Sequence, residues 1–376
     1  MKRIVIDGRW IRQTGIGRSV EETLRHLLEV DHDNHYILLV RDEDRDHIDL
    51  KAPNLELVSC NITWYTMREQ TRLLAQIKSL KPDLVHFTNF NLPVLYRGRF
   101  VVTIHDLTLL RFKNINTAKY SRLVYHARDS IMRSVMRRAA KGSRAIIVPS
   151  QFVAAEVIKK YHLPKSKLSV VHWAAREPYQ RTIEPSEKFG INRPYLLYVG
   201  NAYPHKNLER LILAFGKLIT EYMLDYQLVI AGKKDVFHAA LEREVREAKL
   251  DKRVIFTDFV SDRELAGLYK NAAIYVFPSL SEGFGLPPLE AMSYGLPVAS
   301  SNATCLPEII GDAAEFFDPT SIDDMARVMS ALLADSYRRD QLRDLGRERV
   351  GQFDWSKAAQ ATLEVYQKAL RGKNNA

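Results

Sequence analysis

Strand-like runs of β-branched and aromatic residues alternate with helical segments along both halves of this 376-residue chain. No other feature limits the fold as much. A strand followed by a helix and then by a neighbouring strand runs parallel to that neighbour, because a crossover must return the chain to the same end of the sheet. In the first half the pattern predicts strands at residues 2–7, 36–40, 55–58, 84–87, 100–104, 145–148 and 168–171. Helices are expected over 18–28, 68–80, 119–140 and 151–161, the last capped by Ser150. In the second half strands are expected at 195–199, 227–231, 254–256, 274–277 and 297–299, with one more ending at 316–319. Helices lie between them and over 208–220, 321–333 and 356–370. Residues 177–194, with three prolines and many charges, read as a linker and a fresh start. The expectation is an α/β protein of two doubly wound domains, residues 1–178 and 190–354, with a cleft between them and ligands at strand carboxyl ends.

Hydrophobic residues make up 46% of the chain, an ordinary share for a globular protein. No stretch of about 18 uncharged apolar residues is there to span a bilayer. The first residues, Met1-Lys2-Arg3-Ile4-Val5-Ile6-Asp7, enter a strand and meet an acid where a signal peptide would stay apolar. Cys60 and Cys305 offer neither metal-ligand spacing nor a disulfide framework. A cytoplasmic protein is expected. Its net charge of +10 is unevenly spread: residues 1–178 hold 30 Lys and Arg against 18 Asp and Glu, and residues 179–376 hold 25 against 27. Residues 111–144 carry ten basic residues and one acid, Asp129. The first half is thus expected to meet something anionic, nucleic acid and anionic membrane both being open.

The stretch richest in chemistry is Glu282-Gly283-Phe284-Gly285-Leu286-Pro287-Pro288-Leu289-Glu290. A strand of buried type precedes it, and a helix with proline in its first turn follows. Glu282 then sits on a loop at a strand's carboxyl end, and Glu290 projects from the next helix. Backbone amides at a helix N-terminus form an anion site. A carboxylate on each side suits a ligand whose hydroxyls flank a phosphate, such as a nucleotide sugar.

This stretch resembles the E-x7-E motif of the family-four retaining glycosyltransferases, which have the GT-B fold. The likeness covers nearly the whole chain, most closely from Tyr195 to Asp318. It implies two Rossmann-like domains, an N-terminal one for the acceptor and a C-terminal one for the donor. The last helix, residues 355–376, packs back on the first domain. It also implies that Glu282 meets the donor sugar, that Glu290 binds the ribose hydroxyls, and that Gly283, Phe284, Gly285 and Leu286 line the donor site. Mannose from GDP-mannose is the donor expected from similarity to bacterial mannosyltransferases of cell-surface polysaccharide assembly, with a UDP-hexose as alternative. A glycan or lipid-linked glycan is the implied acceptor. The family's front-face retaining route needs no cofactor and no metal. No Asp-x-Asp motif is present, and Asp323-Asp324 falls inside a predicted helix.

Three further loops follow strands. Gly15-Ile16-Gly17 precedes the first helix, where amides could approach a phosphate, although the third glycine of a dinucleotide fingerprint is missing. In the family the matching loop faces the donor diphosphate. Lys206, just before the helix at 208, puts an ammonium beside a helix N-terminus, where a cation fits poorly unless an anion is near. Relatives carry arginine where this chain has Asn201, and Arg9, Arg12, Arg18 and His205 are candidates for the missing cation. His105 resembles the family histidine at the donor sugar, and Asp106 either orients it or stabilises the loop. Phe259 and Val260 lie where relatives bind the base, Val260 replacing the usual glycine.

On a helical wheel for residues 119–141, Tyr120, Val124, Ala127, Ile131 and Val135 share one face. Arg122, Arg133 and Arg137 lie nearly opposite, with Tyr125, Met132 and Met136 on a flank. A core-facing helix with a basic outer surface is expected, turned toward anionic lipid on the inner membrane leaflet or a diphosphate-linked acceptor. A basic nucleic-acid-binding protein is the rival reading, but no recognition motif or aromatic stacking series supports it, and no nucleic-acid partner is expected.

Overall fold

The computed structural model describes residues 1–112, 122–234 and 236–371, without the side chains of Thr14 and positions 122–125. Two compact units divide the chain: Met1–Trp173 with Asp354–Ala376, and Ala174–Phe353. The break lies at Trp173/Ala174, ahead of the linker read at 177–194, because that segment bonds to the second unit. Tyr179 N–H donates to the Tyr294 hydroxyl (3.0 Å), and Ile183 N–H to the Arg263 carbonyl (3.2 Å).

In chain order the first unit contains β1 (Arg3–Asp7), α1 (Thr14–Val30), β2 (His35–Val40), α2 (Asp42–Arg45), β3 (Leu55–Ser59), α3 (Leu74–Ser79), β4 (Leu84–Phe87) and β5 (Phe100–Thr103). There follow α4 (Thr108–Arg111), α5 (Arg122–Gly142), β6 (Ala145–Val148), α6 (Gln151–Tyr161) and β7 (Leu168–Val170). All seven strands form one parallel sheet in the order β3-β2-β1-β4-β5-β6-β7. Val5, Ile37, Val85, Val102 and Ile146 are fully buried within it, as central strands covered on both faces require. Ser150 caps α6 by accepting from Val153 N–H.

The second unit contains α7 (Ser186–Phe189), β8 (Tyr195–Val199), α8 (Leu208–Thr220), β9 (Gln227–Ala231), α9 (His238–Glu247), β10 (Val254–Phe256), α10 (Asp262–Asn271) and β11 (Ile274–Phe277). It continues with α11 (Leu286–Ser293), β12 (Val298–Ser301), α12 (Leu306–Ile310), β13 (Ala314–Phe317), α13 (Ile322–Ala334) and α14 (Ser336–Gly351). Its parallel sheet has the order β10-β9-β8-β11-β12-β13. Asp323 and Asp324 fall in the first turn of α13. The final helix, α15 (Trp355–Arg371), rejoins the first unit and packs along α1. Its Tyr366 hydroxyl meets His86 Nδ1 at 2.7 Å, while His86 Nε2 meets Thr103 Oγ1 at 2.8 Å.

Two expectations need correction. Helix α1 begins at Thr14, so Gly15 and Gly17 lie inside its first turns rather than in a loop. In α5 the buried side is formed by Met136, Ala139 and Ala140, whereas Ala127 is exposed and Ile131 is 63% exposed. The wheel followed its β-branched residues, but small alanines and a pliant methionine let the helix approach the sheet. Arg138 turns inward, donating to the Val94 and Tyr96 carbonyls (3.1 and 2.6 Å). Tyr120 lies outside the described residues, as do the side chains of Arg122, Val124 and Tyr125.

Candidate functional site

Each sheet order contains a reversal. In the second unit β8 and β11 are neighbours, yet the chain leaves β8 toward β9 and β11 toward β12. The loops diverge there, and the gap at the strand carboxyl ends is where such sheets take ligands. The two diverging loops carry Lys206 and Glu282.

Beyond β8 the chain makes one 3₁₀ turn, Pro204–Lys206, then enters α8 through Asn207 in the left-handed region (φ 63°). The buried Asn207 amide nitrogen donates to the Pro278 and Pro319 carbonyls (3.0 and 2.8 Å). Leu280 N–H donates to the His205 carbonyl at 2.8 Å. The backbone under Lys206 is thereby tied to the loop that bears Glu282. Lys206 Nζ lies 2.6 Å from Glu282 Oε1, with side-chain exposures of 15% and 14%. The ammonium also stands 5.7 Å from the centre of the Phe277 ring. Glu282 N–H donates to Thr304 Oγ1 at 3.1 Å. Sequence reasoning missed Asn207 and Thr304. Asn207 had a signal, an asparagine directly before a helix; Thr304 had none.

The turn after Glu282 is buried, and Gly285 takes φ 100°, which a side chain would strain. Of the first three residues of α11, only Leu286 has an amide hydrogen, since Pro287 and Pro288 have none. The anion-binding capacity expected of this helix start is therefore smaller than predicted. Glu290 lies one turn further, 8% exposed, its Oε2 accepting from the Tyr269 hydroxyl at 3.4 Å. Tyr269 is stacked on Tyr294 with centroids 5.3 Å apart. At the end of β10, Phe259 is 73% exposed beside the half-buried Val260. Asn201 accepts at its carbonyl from the Tyr198 hydroxyl (2.9 Å) and at its side chain from Tyr203 N–H (3.4 Å), so it shapes its own loop.

In the first unit the reversal lies between β1 and β4. Gln13 precedes α1 without a side-chain cap, and the first intrahelical bond is Gly17 N–H to the Gln13 carbonyl (2.8 Å). The amides of positions 14–16 then have no partner within the helix. A Cβ on Gly17 would stand 2.1 Å from the Ile11 carbonyl oxygen, so close backbone approach explains this glycine. Arg9 cannot serve as the missing cation. Fully buried, it donates to Asp7 (2.8 and 2.7 Å), Glu69 (2.9 Å) and the Ile62 carbonyl (2.9 Å). Burial pushes the Glu69 carboxyl above its usual range against the pull of Arg9.

His105 follows β5 and is 9% exposed. Its Nε2–H donates to the Thr88 carbonyl at 2.7 Å, and Nδ1 is buried without a partner. Burial lowers its pKa, outweighing the Thr88 carbonyl and the Asp106 charge. The ring is therefore neutral with Nδ1 as acceptor. Asp106 accepts from Thr108 N–H (2.7 Å), which supports the loop-stabilising alternative. Among the described residues no group of three His, Cys, Asp or Glu could hold a metal ion, and no helix is long and apolar enough to cross a membrane.

Residues 13–174 match a family model described as Glycosyltransferase Family 4, and residues 180–349 match one described as Glycosyl transferases group 1. The chain is 29% identical over 315 residues to O-antigen chain mannosyltransferase B of Escherichia coli, covering 80% of this chain and 78% of that one. Its backbone superposes on sucrose-phosphate synthase from Thermosynechococcus elongatus with a TM-score of 0.77 at 19% identity, covering 98% of each chain. It superposes on Anabaena HepE, solved with UDP and glucose, with a TM-score of 0.75 at 15% identity, covering 98% of this chain and 100% of that one.

Proposed function

The chain belongs to the family-four glycosyltransferases of the GT-B fold, and from that premise we propose that it transfers a hexose with retention, without metal, from a nucleoside-diphosphate sugar to a glycan or lipid-linked glycan. The observation that carries this reading is the Lys206–Glu282 ion pair at the β8/β11 reversal. An ammonium held by a carboxylate in a ligand site is a cation ready for exchange. The donor diphosphate takes Lys206 from Glu282, and the released carboxylate accepts hydrogen bonds from the hexose hydroxyls. One binding event thereby arms both groups. As the glycosidic bond breaks, charge grows on the departing diphosphate, and the placed ammonium stabilises it without reorganisation.

Glu282 is the one acid in the loops that follow β8 and β11, among their described residues. Committed to the sugar, it leaves no second carboxylate in these loops to act as nucleophile. That favours departure and attack on the same face of the ring. Glu290 takes the ribose hydroxyls, and the exposed Phe259 ring offers a flat contact to the base. Mannose from GDP-mannose is the first donor, on the strength of the Escherichia coli mannosyltransferase relative; a UDP-hexose is second, since the Anabaena structure holds UDP and glucose. The acceptor is presented at the inner leaflet, which the basic first half of the chain favours.

Calorimetry with GDP, UDP and their hexose conjugates, with chelator present, tests the donor. One diphosphate should bind without metal, and NMR of the product should show the donor's anomeric configuration. Binding of neither diphosphate, or only with divalent metal, refutes the donor reading. An inverted product refutes retention.

A further inference from the structure

A groove of about 410 Å³ lies in the first unit, lined by Leu110, Arg133, Arg137, Lys141, Lys160, Tyr161 and His162. Arg133, Arg137 and Lys141 are spaced by four residues, so they form one stripe along the last turns of α5. Lys160 and His162 face them from the end of α6. Leu110 and Tyr161 add an apolar part to the lining. Arg133 is paired with Asp129 at 2.8 Å. Arg137, Lys141 and Lys160 have no carboxylate partner among the described residues.

Basic residues at a helix end complement the macrodipole, and that accounts for Lys141 and Lys160. It does not account for Arg137 or Arg133, which lie one and two turns further in. Nor does it account for a cavity between the two helices. Like charges four residues apart oppose the helix, and α5 carries two such pairs in succession. A groove that gathers cations around open volume suits an anion with several acceptor oxygens. Its volume exceeds that of a bare phosphate. Its apolar part suits an organic stem.

We propose that this groove is a binding site for a phosphate ester, a phosphodiester or diphosphate on an organic stem, separate from the donor site in the other unit. The ligand chemistry is shared by a phospholipid headgroup and by a soluble phosphate ester. Nucleic acid fits less well, because the two rings in the lining, Tyr161 and His162, are adjacent in sequence at one end of α6 and form no stacking series along a track. The inference stands on the groove alone and does not depend on the transferase reading.

The test uses the full chain and binding readouts only. Co-sedimentation is measured with phosphatidylcholine vesicles with and without phosphatidylglycerol, and calorimetry with glycerol 3-phosphate and with inorganic pyrophosphate. The triple variant Arg137→Glu, Lys141→Glu, Lys160→Glu is compared with Lys51→Glu, Lys78→Glu, Lys81→Glu, which makes the same charge change elsewhere on the first unit. Circular dichroism melting confirms that both fold. The groove variant should lose about tenfold or more in affinity for anionic vesicles and phosphate esters, while the control keeps most of its affinity. Displacement from vesicles by glycerol 3-phosphate assigns the site to the phosphate group wherever it is carried; vesicle binding without displacement assigns it to the headgroup in the membrane. Equal loss in both variants, no preference of the wild type for any of these anions, or tighter binding of duplex DNA than of anionic vesicles overturns the proposal.

Discussion

The proposed exchange of Lys206 between Glu282 and a donor diphosphate would make the two residues opposite in one measurable respect. Replacing Lys206 by methionine keeps an unbranched side chain of similar length beside Phe277 but removes the proposed charged donor to the leaving group. The barrier should rise by about 2–4 kcal/mol, or about two to three orders of magnitude in turnover. Replacing Glu282 by glutamine should do two things at once. Transfer falls, because the sugar loses an acceptor. Binding of the bare nucleoside diphosphate tightens, because Lys206 no longer has to leave a carboxylate. With both side chains about 85% buried, the pair sits near or above the top of the range for exposed ion pairs. Its loss should release about 1 kcal/mol, or about fivefold in affinity. In the double variant that gain should vanish, since no ammonium remains to be freed. Calorimetry with GDP and UDP on the four proteins, beside single-turnover release of diphosphate from the sugar donor, measures the cycle. If Glu282→Gln weakens the bare diphosphate as much as the sugar nucleotide, the exchange argument fails, and Glu282 is only part of a rigid wall.

Arg9→Met should lower stability by about 3–5 kcal/mol, because Asp7 and Glu69 are left buried beside each other; denaturant unfolding should show much of this recovered when Asp7→Asn and Glu69→Gln are added. Burial lowers the His86 pKa to about 3, whereas in the unfolded chain it titrates near about 6.5. The unfolded state thus binds the extra proton between those values, so stability falls as pH drops through that window, by at most about 1.4 kcal/mol per pH unit from this group. Melting curves between about pH 8 and about pH 4 should show a shallower acid slope for His86→Gln; an unchanged slope refutes the assignment. Gly17→Ala puts a methyl against the Ile11 carbonyl and should cost about 1–3 kcal/mol in chemical denaturation; wild-type stability would show that the backbone yields there at no cost.

The strands were legible because parallel strands covered on both faces are near-continuous apolar runs. Runs such as Leu84-Val85-His86-Phe87 have no reading as loops. The positions of Lys206 and Glu282 followed from the same rule, each being placed by the strand before it. Other features depend on information that no local window contains. Helix α14 escaped notice because Leu342 and Gly346 are its only buried residues, so its apolar stripe is too thin to register. The buried face of α5 was misread because closeness to the sheet, which favours alanine, is a tertiary property. Arg9 looked available for a ligand since neither Glu69 nor the Ile62 carbonyl is near it in sequence. Asn207 works through carbonyls 71 and 112 residues away.

The hydrogen bond between Tyr366 and His86 joins positions 280 residues apart. The order of synthesis gives that number a meaning. When the ribosome has finished the seven strands of the first unit, the partner surface for α1 and His86 does not yet exist. The whole second unit must emerge before α15 is made. Closing so long a loop costs little more than closing a shorter one, because the entropy grows only with the logarithm of length. The delay is kinetic rather than energetic. Until the last turns are released, the nascent protein exposes Val20, Leu24 and Leu27 of α1, all buried in the finished unit. A chain cut short before α15 would carry this apolar stripe permanently, a signal by which chaperones and proteases can tell unfinished copies from complete ones.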